Sequence, residues 1–224
     1  MKSISLVRYS PHDQVHAITT QVVECYREVF SDTPWHEWLR CAVCNKYWGA
    51  CDRALLASYQ FRHCDTPLVD FWPREQVIAD LFHEIAPDSS CWIAMEECRV
   101  VGFCWGYPIT LQELENKLGN TFSHAVGIPV ESTQLVAYQD EVGVLSAYRG
   151  RKIAKKMVAL RLIDFKAKNL EFAVVRTRQY PEPSETFLWY TKKLGYRILA
   201  SYPDADGRVI LGRNLLGLLD LLTL

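Results

Sequence analysis

Hydrophobic and polar residues follow one another along this chain in short periodic segments, which is typical of a protein that mixes helices and strands. In the first half of the chain, the pattern predicts a strand at residues 4–8, helices at 13–30 and 73–85, a hairpin formed by 91–95 and 100–107, and a short helix at 113–118 before an irregular loop at 119–131. The hairpin and the long helices indicate one sheet with helices packed against it.

The second half alternates more regularly between the two periodicities. It predicts strands at residues 135–145, 172–176, 196–201 and 208–213, and helices at 151–168 and 184–193. This alternation favours an α/β fold with a central mixed sheet flanked by helices. Gly143 lies inside a predicted strand, where glycine often marks a bulge or the close approach of a ligand.

Composition narrows the function. The chain has 224 residues, 49% of them apolar, and a net charge of −1, which gives no electrostatic reason to expect nucleic acid or an anionic membrane as a partner. Because the N-terminus lacks a continuous apolar stretch and no segment is long enough to cross a bilayer, we expect a cytoplasmic protein without membrane attachment. We expect one domain at residues 1–215, and an apolar tail at 216–224 that docks on the domain or contacts a second copy in a homodimer.

Half of the eight cysteines lie in a short insertion at about residues 38–68. Cys41 and Cys44 are separated by two residues and resemble the first knuckle of a zinc ribbon, and His63 and Cys64 follow as a second pair. Three thiolates and one further ligand would close a tetrahedral structural zinc site, so the predicted ligands are Cys41, Cys44, Cys64 and either His63 or Cys51. His63 and Cys64 can bind one ion together only where the chain is irregular, since neighbouring side chains diverge on a strand.

A strand-to-helix junction at residues 144–157 carries the candidate chemistry. Five cations surround the start of the helix, namely Arg149, Arg151, Lys152, Lys155 and Lys156. Cations oppose the helix dipole there by roughly 0.3–1 kcal/mol each, whereas the free N–H groups of a first helical turn bind phosphate well. The junction is therefore either an anion site or a solvated basic helix end.

The junction resembles the acyl-CoA-binding motif of the GNAT acetyltransferase superfamily, whose core is Gln/Arg-x-x-Gly-x-Gly/Ala. Arg149 and Ala154 match this core, while Lys152 stands where the family has glycine. The resemblance implies that acetyl-CoA or another acyl-CoA binds along Val144, Leu145, Ser146, Arg149, Gly150, Arg151, Lys152, Ile153, Ala154 and Lys155.

Residues 184–196 are similar to the second signature of the same family, a helix carrying Leu-Tyr-x-x-x-Gly-Phe/Tyr. Ser184 is suited to begin this helix and Gly195 to end it. The resemblance assigns to Tyr190 the role of general acid, which protonates the departing CoA thiolate. The alternative is that Tyr190 packs between Trp189 and Tyr196 as an aromatic core residue.

The base that takes the proton from the amine is left open by the sequence. Asp140 and Glu141 precede the junction on one strand and point to opposite faces of it. Glu141 shares its face with Gly143 and is preferred, with Asp140 or a chain of water molecules as the alternatives. The segment Pro34–Trp38, which contains Glu37, would either cover an amine substrate or pack against the insertion.

The resemblance thus implies an N-acyltransferase that moves an acetyl or related acyl group from acyl-CoA to a primary amine in a ternary complex. The rival hypothesis is a GNAT-fold zinc-ribbon protein that has lost catalysis and serves in binding or regulation, and the lysine at position 152 is the feature in its favour.

Overall fold

The computed structural model describes residues 3–13, 16–129, 133–180, 183–202 and 207–216. Of the predicted C-terminal tail at 216–224, only Leu216 belongs to these ranges. The chain forms two compact units. The first contains the described residues of Met1–Pro87, Cys91–Cys104 and Val142–Val158, and the second those of Asp88–Ser90, Trp105–Glu141 and Ala159–Leu224.

The main sheet has seven strands. They are β1 (Ile4–Arg8), β7 (Ser90–Glu96), β8 (Arg99–Thr110), β9 (Leu135–Val144), β10 (Phe172–Arg178), β11 (Arg197–Ser201) and β12 (Arg208–Asn214). Their order is β1-β7-β8-β9-β10-β12-β11. β9 and β10 run parallel, whereas β1–β7, β10–β12 and β11–β12 are antiparallel, so the predicted mixed sheet is confirmed.

Seven α-helices accompany the strands. They are α1 (His16–Ser31), α2 (Arg53–Ser58), α3 (Arg74–Glu84), α4 (Leu111–Leu118), α5 (Ser123–Val126), α6 (Ile153–Ala167) and α7 (Glu185–Lys192). The α5 helix lies where the sequence predicts an irregular loop, and a single turn of this length has too little periodicity to be recognised. Helix α6 begins two residues later than predicted, because Gly150 and Lys152 both have positive φ angles.

The insertion contains five two-residue strands. They are β2 (Leu39–Arg40), β3 (Tyr47–Trp48), β4 (Arg62–His63), β5 (Thr66–Pro67) and β6 (Val69–Asp70). Three of them form a small sheet in the order β3-β2-β6, and β4 pairs with β5 as a separate hairpin. This lobe has little core of its own: Cys41 and Leu56 are its fully buried apolar residues between β2 and β6. A lobe so poor in apolar burial needs another source of stability.

Each unit has its own packing. In the first, Tyr26 and Phe30 of α1 stack against Phe103 of β8, with ring centroids 5.5 and 6.3 Å from that ring. In the second, three leucines of α4 (Leu111, Leu114 and Leu118) pack with Val136 and Tyr138 of β9. A capping box of Thr110 and Glu113 begins α4, and Gly119 ends it in the left-handed conformation.

Candidate functional site

The predicted cofactor junction is a tight turn between β9 and α6. β9 ends at Val144, a short 3₁₀ helix spans Ser146–Tyr148, and α6 begins at Ile153. The amide of Leu145 donates to the carbonyl of Val101 at 3.0 Å, which anchors the start of the turn to β8. The N–H of Lys156 is bonded to the carbonyl of Lys152 at 3.1 Å. The amides of Ile153, Ala154 and Lys155 come too early in α6 to bond to a carbonyl of the same helix. Their N–H groups therefore point out of the first turn.

Lys152, at the position where the family motif has glycine, adopts a backbone conformation that favours glycine. Its φ angle is 60°, and Gly150 two residues earlier has a φ angle of 77°. A non-glycine residue in the left-handed region carries a steric cost of roughly 1–2 kcal/mol. The turn thus has a left-handed residue at this position although the side chain is that of lysine. A side chain added at Gly150 would meet nothing within 4 Å, so that position is open.

Two of the five cations at this turn have carboxylate partners. These partners compensate part of the unfavourable interaction with the helix dipole that the sequence indicated. Arg149 lies 3.8 Å from Asp32, and Arg151 lies 3.8 Å from Glu96. These partners come from distant segments, so sequence proximity could not reveal them. In the described part of the chain, none of Lys152, Lys155 and Lys156 forms such a pair, and the excess positive charge at the turn persists.

Arg149 is also tied to the backbone on both sides. Its Nε donates to the carbonyl of Val144 at 3.2 Å, and its guanidinium donates to the carbonyl of Thr33 at 3.2 Å. Glu96 additionally accepts a hydrogen bond from the Tyr148 hydroxyl at 2.8 Å, which raises the pKa of that phenol. These contacts hold the turn in place before any ligand arrives.

The glycine in β9 accommodates protein side chains. A Cβ atom at Gly143 would lie 2.4 Å from the Phe103 ring and 2.8 Å from Val29. The close approach that the sequence indicated is thus made by the core of the first unit.

The two candidate bases differ in their surroundings. The carboxylate of Asp140 accepts a hydrogen bond from Tyr107 at 2.9 Å and lies 3.2 Å from Lys117, with only 6% of its side chain exposed. Glu141 offers its backbone carbonyl to Arg161 at 2.9 Å, and its side chain is partly exposed. Asp140 is thus held by two partners, and the preferred base Glu141 stays a prediction.

Tyr190 lies in a buried polar network with Arg161 and Gln139. All three residues have 0% of their surface exposed. The Arg161 guanidinium donates to the Tyr190 hydroxyl at 3.0 Å, and this hydroxyl donates to Oε1 of Gln139 at 2.9 Å. The Tyr190 ring also packs against Trp189 and Tyr196, at 5.3 and 4.8 Å between centroids, as the alternative interpretation expected.

The same network reaches further residues that sequence analysis missed. Arg161 also donates to the carbonyl of Trp105 at 2.5 Å, and Nε2 of Gln139 donates to the Tyr196 hydroxyl at 2.7 Å. Burial raises the pKa of Tyr196 far above its ordinary value, with the neighbouring Tyr190 adding to the effect. An arginine on the apolar face of α6 is a recognisable signal, since a buried arginine needs several hydrogen-bond acceptors.

The spacing of the second motif also matters for Tyr190. Four residues separate Tyr190 from Gly195, whereas the pattern Leu-Tyr-x-x-x-Gly has three. The tyrosine position of the pattern therefore falls on Thr191, which is partly exposed, and its hydroxyl donates to the carbonyl of Phe187 at 2.8 Å. Residues 190 and 191 point about 100° apart on the helix, so they present their hydroxyls to different surroundings.

Four residues of the insertion come together as the sequence predicts. The ligand atoms of Cys41, Cys44, His63 and Cys64 all lie within 4.8 Å of one another. Nδ1 of His63 is 3.5 Å from the sulfur of Cys44 and 3.2 Å from the sulfur of Cys64. Cys51 lies apart from this cluster, with its sulfur 3.6 Å from Nδ1 of His36. Of the two candidates for the fourth ligand, His63 lies beside the three cysteines and Cys51 does not.

Two tight turns bring these ligands together. Cys41 and Cys44 lie between β2 and β3, where the amide of Cys41 donates to the carbonyl of Lys46 at 2.8 Å and Asn45 has a positive φ angle. In the second hairpin, Cys64 and Asp65 form the loop between β4 and β5 with φ angles of 48° and 59°. Two consecutive positive φ angles define a type I′ turn. This irregularity lets the adjacent His63 and Cys64 face one point.

The thiols of this cluster differ in their pKa values. Hydrogen bonds from the Cys44 backbone and from His63 lower the pKa of Cys41 to about 6. The neighbouring thiol of Cys44 raises the pKa of Cys64 to about 11. Such a separation of pKa values is expected for thiols that lie close together, because one thiolate disfavours the ionisation of the next.

A cavity of about 250 Å³ lies in the first unit beside α1, lined by three glutamates and two tryptophans among others. These residues are Glu24, Glu28, Glu37, Trp38 and Trp72, together with Arg27 and Ser31. Glu24 pairs with Arg74 at 2.9 Å and Glu28 with Arg99 at 3.5 Å. Three glutamates and one arginine leave the lining with a net negative charge. Glu37 accepts a hydrogen bond from the Trp72 indole at 2.9 Å. The segment Pro34–Trp38 thus contributes Glu37 and Trp38 to this cavity, and Trp38 also contacts Phe61 of the insertion at 6.1 Å between ring centroids. That the segment covers an amine substrate stays a prediction.

Comparison with known proteins identifies the family. The model of the acetyltransferase (GNAT) family matches residues 48–196, more than half of the chain. A search of curated protein sequences gives no significant match. In the described part of the chain, no helix has the length and apolar character needed to cross a membrane.

Solved structures of acetyltransferases share the fold. The PaiA N-acetyltransferase of Thermoplasma acidophilum, in complex with coenzyme A, is 13% identical, with 95% of this chain and 99% of that chain covered and a TM-score of 0.55. NAA60 of Arabidopsis thaliana, in complex with acetyl-CoA, is 12% identical over 96% of this chain and 100% of that chain, with a TM-score of 0.55. Ard1 of Thermoplasma volcanium is 13% identical over 94% and 97% of the respective chains, with a TM-score of 0.52. From the family match together with this fold, the chain belongs to the GNAT acetyltransferase family.

Proposed function

We propose that the protein is an N-acetyltransferase that moves an acetyl or related acyl group from acyl-CoA to a primary amine. The observation that carries this proposal is the turn at Gly150 in a chain of this family. Its backbone is left-handed at both Gly150 and Lys152, the latter being where the motif has glycine, and α6 begins directly after it.

The diphosphate of acyl-CoA would bind at this turn. Outward-directed amides of a first helical turn and the positive end of the helix dipole both favour a phosphate group. Lys152, Lys155 and Arg149 would add charge-assisted contacts. The acyl-pantetheine arm would then follow the backbone of Val144 to Ser146.

The acidic cavity beside α1 supports an amine as the acceptor. A primary amine of pKa about 10.4 arrives mainly as a cation, and both carboxylates and tryptophan faces attract cations. Attack on the thioester requires that this amine lose a proton. We assign that proton to Glu141, either directly or through water.

The departing CoA thiolate needs an acid that protonates it. The assignment of this role to Tyr190 stays a prediction. Its hydroxyl proton is donated to Gln139, so proton release would require Arg161 to stabilise the phenolate that remains. Thr191 occupies the motif position without a phenol and cannot act as an acid near neutral pH.

A paired substitution tests the assignment. Acetyl-CoA turnover with a panel of amines is measured for the wild type, Tyr190→Phe and Thr191→Val across pH. If Tyr190 is the acid, Tyr190→Phe lowers kcat by roughly 10²–10⁴-fold and removes the basic limb of the pH profile, while Thr191→Val retains most of the activity. Equal turnover by Tyr190→Phe and the wild type at every pH would assign Tyr190 a structural role. Absence of turnover and of acetyl-CoA binding in the wild type would overturn the transferase proposal itself.

We further propose that the insertion holds one structural zinc ion through Cys41, Cys44, His63 and Cys64. Three thiolates and one imidazole are a tetrahedral donor set that leaves no position for water or substrate. Such an ion would stabilise a lobe with little apolar core. The homodimer and the cytoplasmic location remain predictions from the sequence.

A further inference from the structure

A basic cavity of about 510 Å³ opens in the second unit, beside the end of α7. Four of its lining residues are cationic, namely Lys192, Lys193, Arg197 and Arg213, and its lining contains no aspartate or glutamate. The cavity shares no residue with the Gly150 turn. Its volume is within the range of small-molecule sites, roughly 300–1,000 Å³.

Three elements bring these cations together. Lys192 ends α7, and the chain reverses at Gly195, whose φ angle is 66°. Arg197 then begins β11 and pairs with Gly212 of β12, so Arg213, the next residue, lines the cavity from the opposite face of the sheet end. The convergence results from the fold and is not visible as a run of charges in the sequence.

Backbone carbonyls orient both arginines without neutralising them. Arg197 donates to the carbonyl of Ala125 at 2.6 Å, and Arg213 donates to the carbonyls of Leu194 and Asn214. In the described part of the chain, none of the four cations forms an ion pair with a carboxylate. Clustered like charges repel each other, and the chain as a whole has a net charge of −1, so this concentration of positive charge is local.

The helix dipole accounts for only part of this arrangement. Lysines at the end of a helix interact favourably with its negative end, which explains Lys192 and Lys193. Arg197 and Arg213 lie on strands, where no comparable dipole compensates their charges. An anion in the cavity would compensate them.

We propose that this cavity binds a small phosphate-bearing anion, at a site separate from that of acyl-CoA. Guanidinium groups match phosphate oxygens in a bidentate geometry, and the two ammonium groups supply further charge. The shared chemistry is a phosphate or diphosphate group, either free or as part of a nucleotide. A phosphate ligand there would bridge α7 to β11 and β12, the elements that carry Tyr190 and its network partner Tyr196 at their junction.

Calorimetric titration of the full chain with inorganic pyrophosphate, in saturating acetyl-CoA, tests the proposal. We expect binding to the wild type that weakens at least about tenfold in the double variant Lys192→Gln/Lys193→Gln. These two side chains are exposed, so the variant should fold normally. The charge-matched control Lys46→Gln, in the insertion, should bind pyrophosphate as the wild type does. Arg197→Lys, which retains the charge but removes the bidentate guanidinium, should weaken binding by less than the double variant does.

Several results would overturn the proposal: no binding to the wild type, equal binding by the double variant, or complete displacement of pyrophosphate by acetyl-CoA. Repeating the titration with AMP, ADP and phosphate distinguishes a nucleotide from a free anion. The outcome is independent of the proposed transferase function, because the double variant should bind acetyl-CoA with unchanged affinity. If the wild type fails to bind acetyl-CoA, the variants still decide whether the basic cavity binds pyrophosphate.

Discussion

The guanidinium of Arg161 donates a hydrogen bond to the hydroxyl of Tyr190 at 3.0 Å, in a place where neither residue is exposed. An arginine charge is costly to bury unless acceptors surround it. Here two backbone carbonyls, one amide oxygen and one phenol serve as those acceptors. The side chain of Arg161 therefore links the second-unit residues of β9, α6 and α7 to one another.

Replacing Arg161 with methionine should lower the free energy of unfolding by about 3–5 kcal/mol, because several buried acceptors lose their donor together. Chemical denaturation monitored by tryptophan fluorescence measures this change. Arg99→Met is a suitable control, since Arg99 makes an exposed ion pair with Glu28 at 3.5 Å, and exposed pairs contribute less than about 1 kcal/mol. If Arg161→Met lowered the free energy of unfolding no more than the control does, the network would contribute little to stability.

Lys152→Gly should stabilise the protein by about 0.5–1 kcal/mol. Glycine removes the steric cost of the left-handed φ angle, roughly 1–2 kcal/mol, and gives back part of it through the greater entropy of the unfolded chain. The matched control is Lys155→Gly inside α6, which should destabilise the protein by about 1 kcal/mol. Thermal unfolding of both variants separates the two effects, and a destabilised Lys152→Gly would show that the lysine side chain contributes contacts of its own.

Metal analysis should find one zinc ion per chain in the wild type and in Cys51→Ser, and none in Cys44→Ser. A thiolate lost from a tetrahedral site weakens zinc binding sharply, whereas Cys51 lies beside His36, outside the cluster. Plasma emission spectrometry on the purified variants provides the count. If Cys44→Ser retained zinc and Cys51→Ser lost it, Cys51 would be the ligand in place of Cys44.

Stability should fall as pH rises above 9, and less steeply in Cys25→Ala than in the wild type. Burial raises the pKa of the Cys25 thiol to about 12, with Glu28 adding to the effect. The folded state therefore keeps this proton while the unfolded state releases it near its ordinary pKa of about 8.5. The stabilisation present below that value is lost between it and the folded pKa, at up to about 1.4 kcal/mol per pH unit. Urea titrations from pH 7 to 10 measure the difference, and parallel curves for the two proteins would contradict it.

Much of the fold follows from periodicity, but the site depends on contacts that sequence cannot place. The strands of the second half and the helix bounded by Ser184 and Gly195 have strong local signals, and the structure has them within a few residues. Helix α6 begins late because its first residues adopt positive φ angles, which lysine gives no reason to expect. The carboxylate partners of Arg149 and Arg151 lie far away in sequence, at Asp32 and Glu96.

The proximity of the four cysteine and histidine side chains was easier to predict from the sequence than the surroundings of the candidate acid and bases. Thiol and imidazole ligands have a fixed stoichiometry, so spacing alone restricts the choice, and only Cys51 and His63 competed. A general acid or base has no such constraint. Asp140 and Glu141 are neighbours in sequence, yet one is held by Tyr107 and Lys117 while the other is partly exposed.

Arg149 contacts two separate segments, the loop after α1 and the end of β9. Its guanidinium contacts Asp32 and the carbonyl of Thr33, immediately after α1, and also reaches back to Val144. A diphosphate that draws this guanidinium toward Gly150 must weaken its hold on that loop. Cofactor occupancy would then be transmitted to the segment that leads into the acidic cavity, and the two substrates of a transferase would bind in a preferred order.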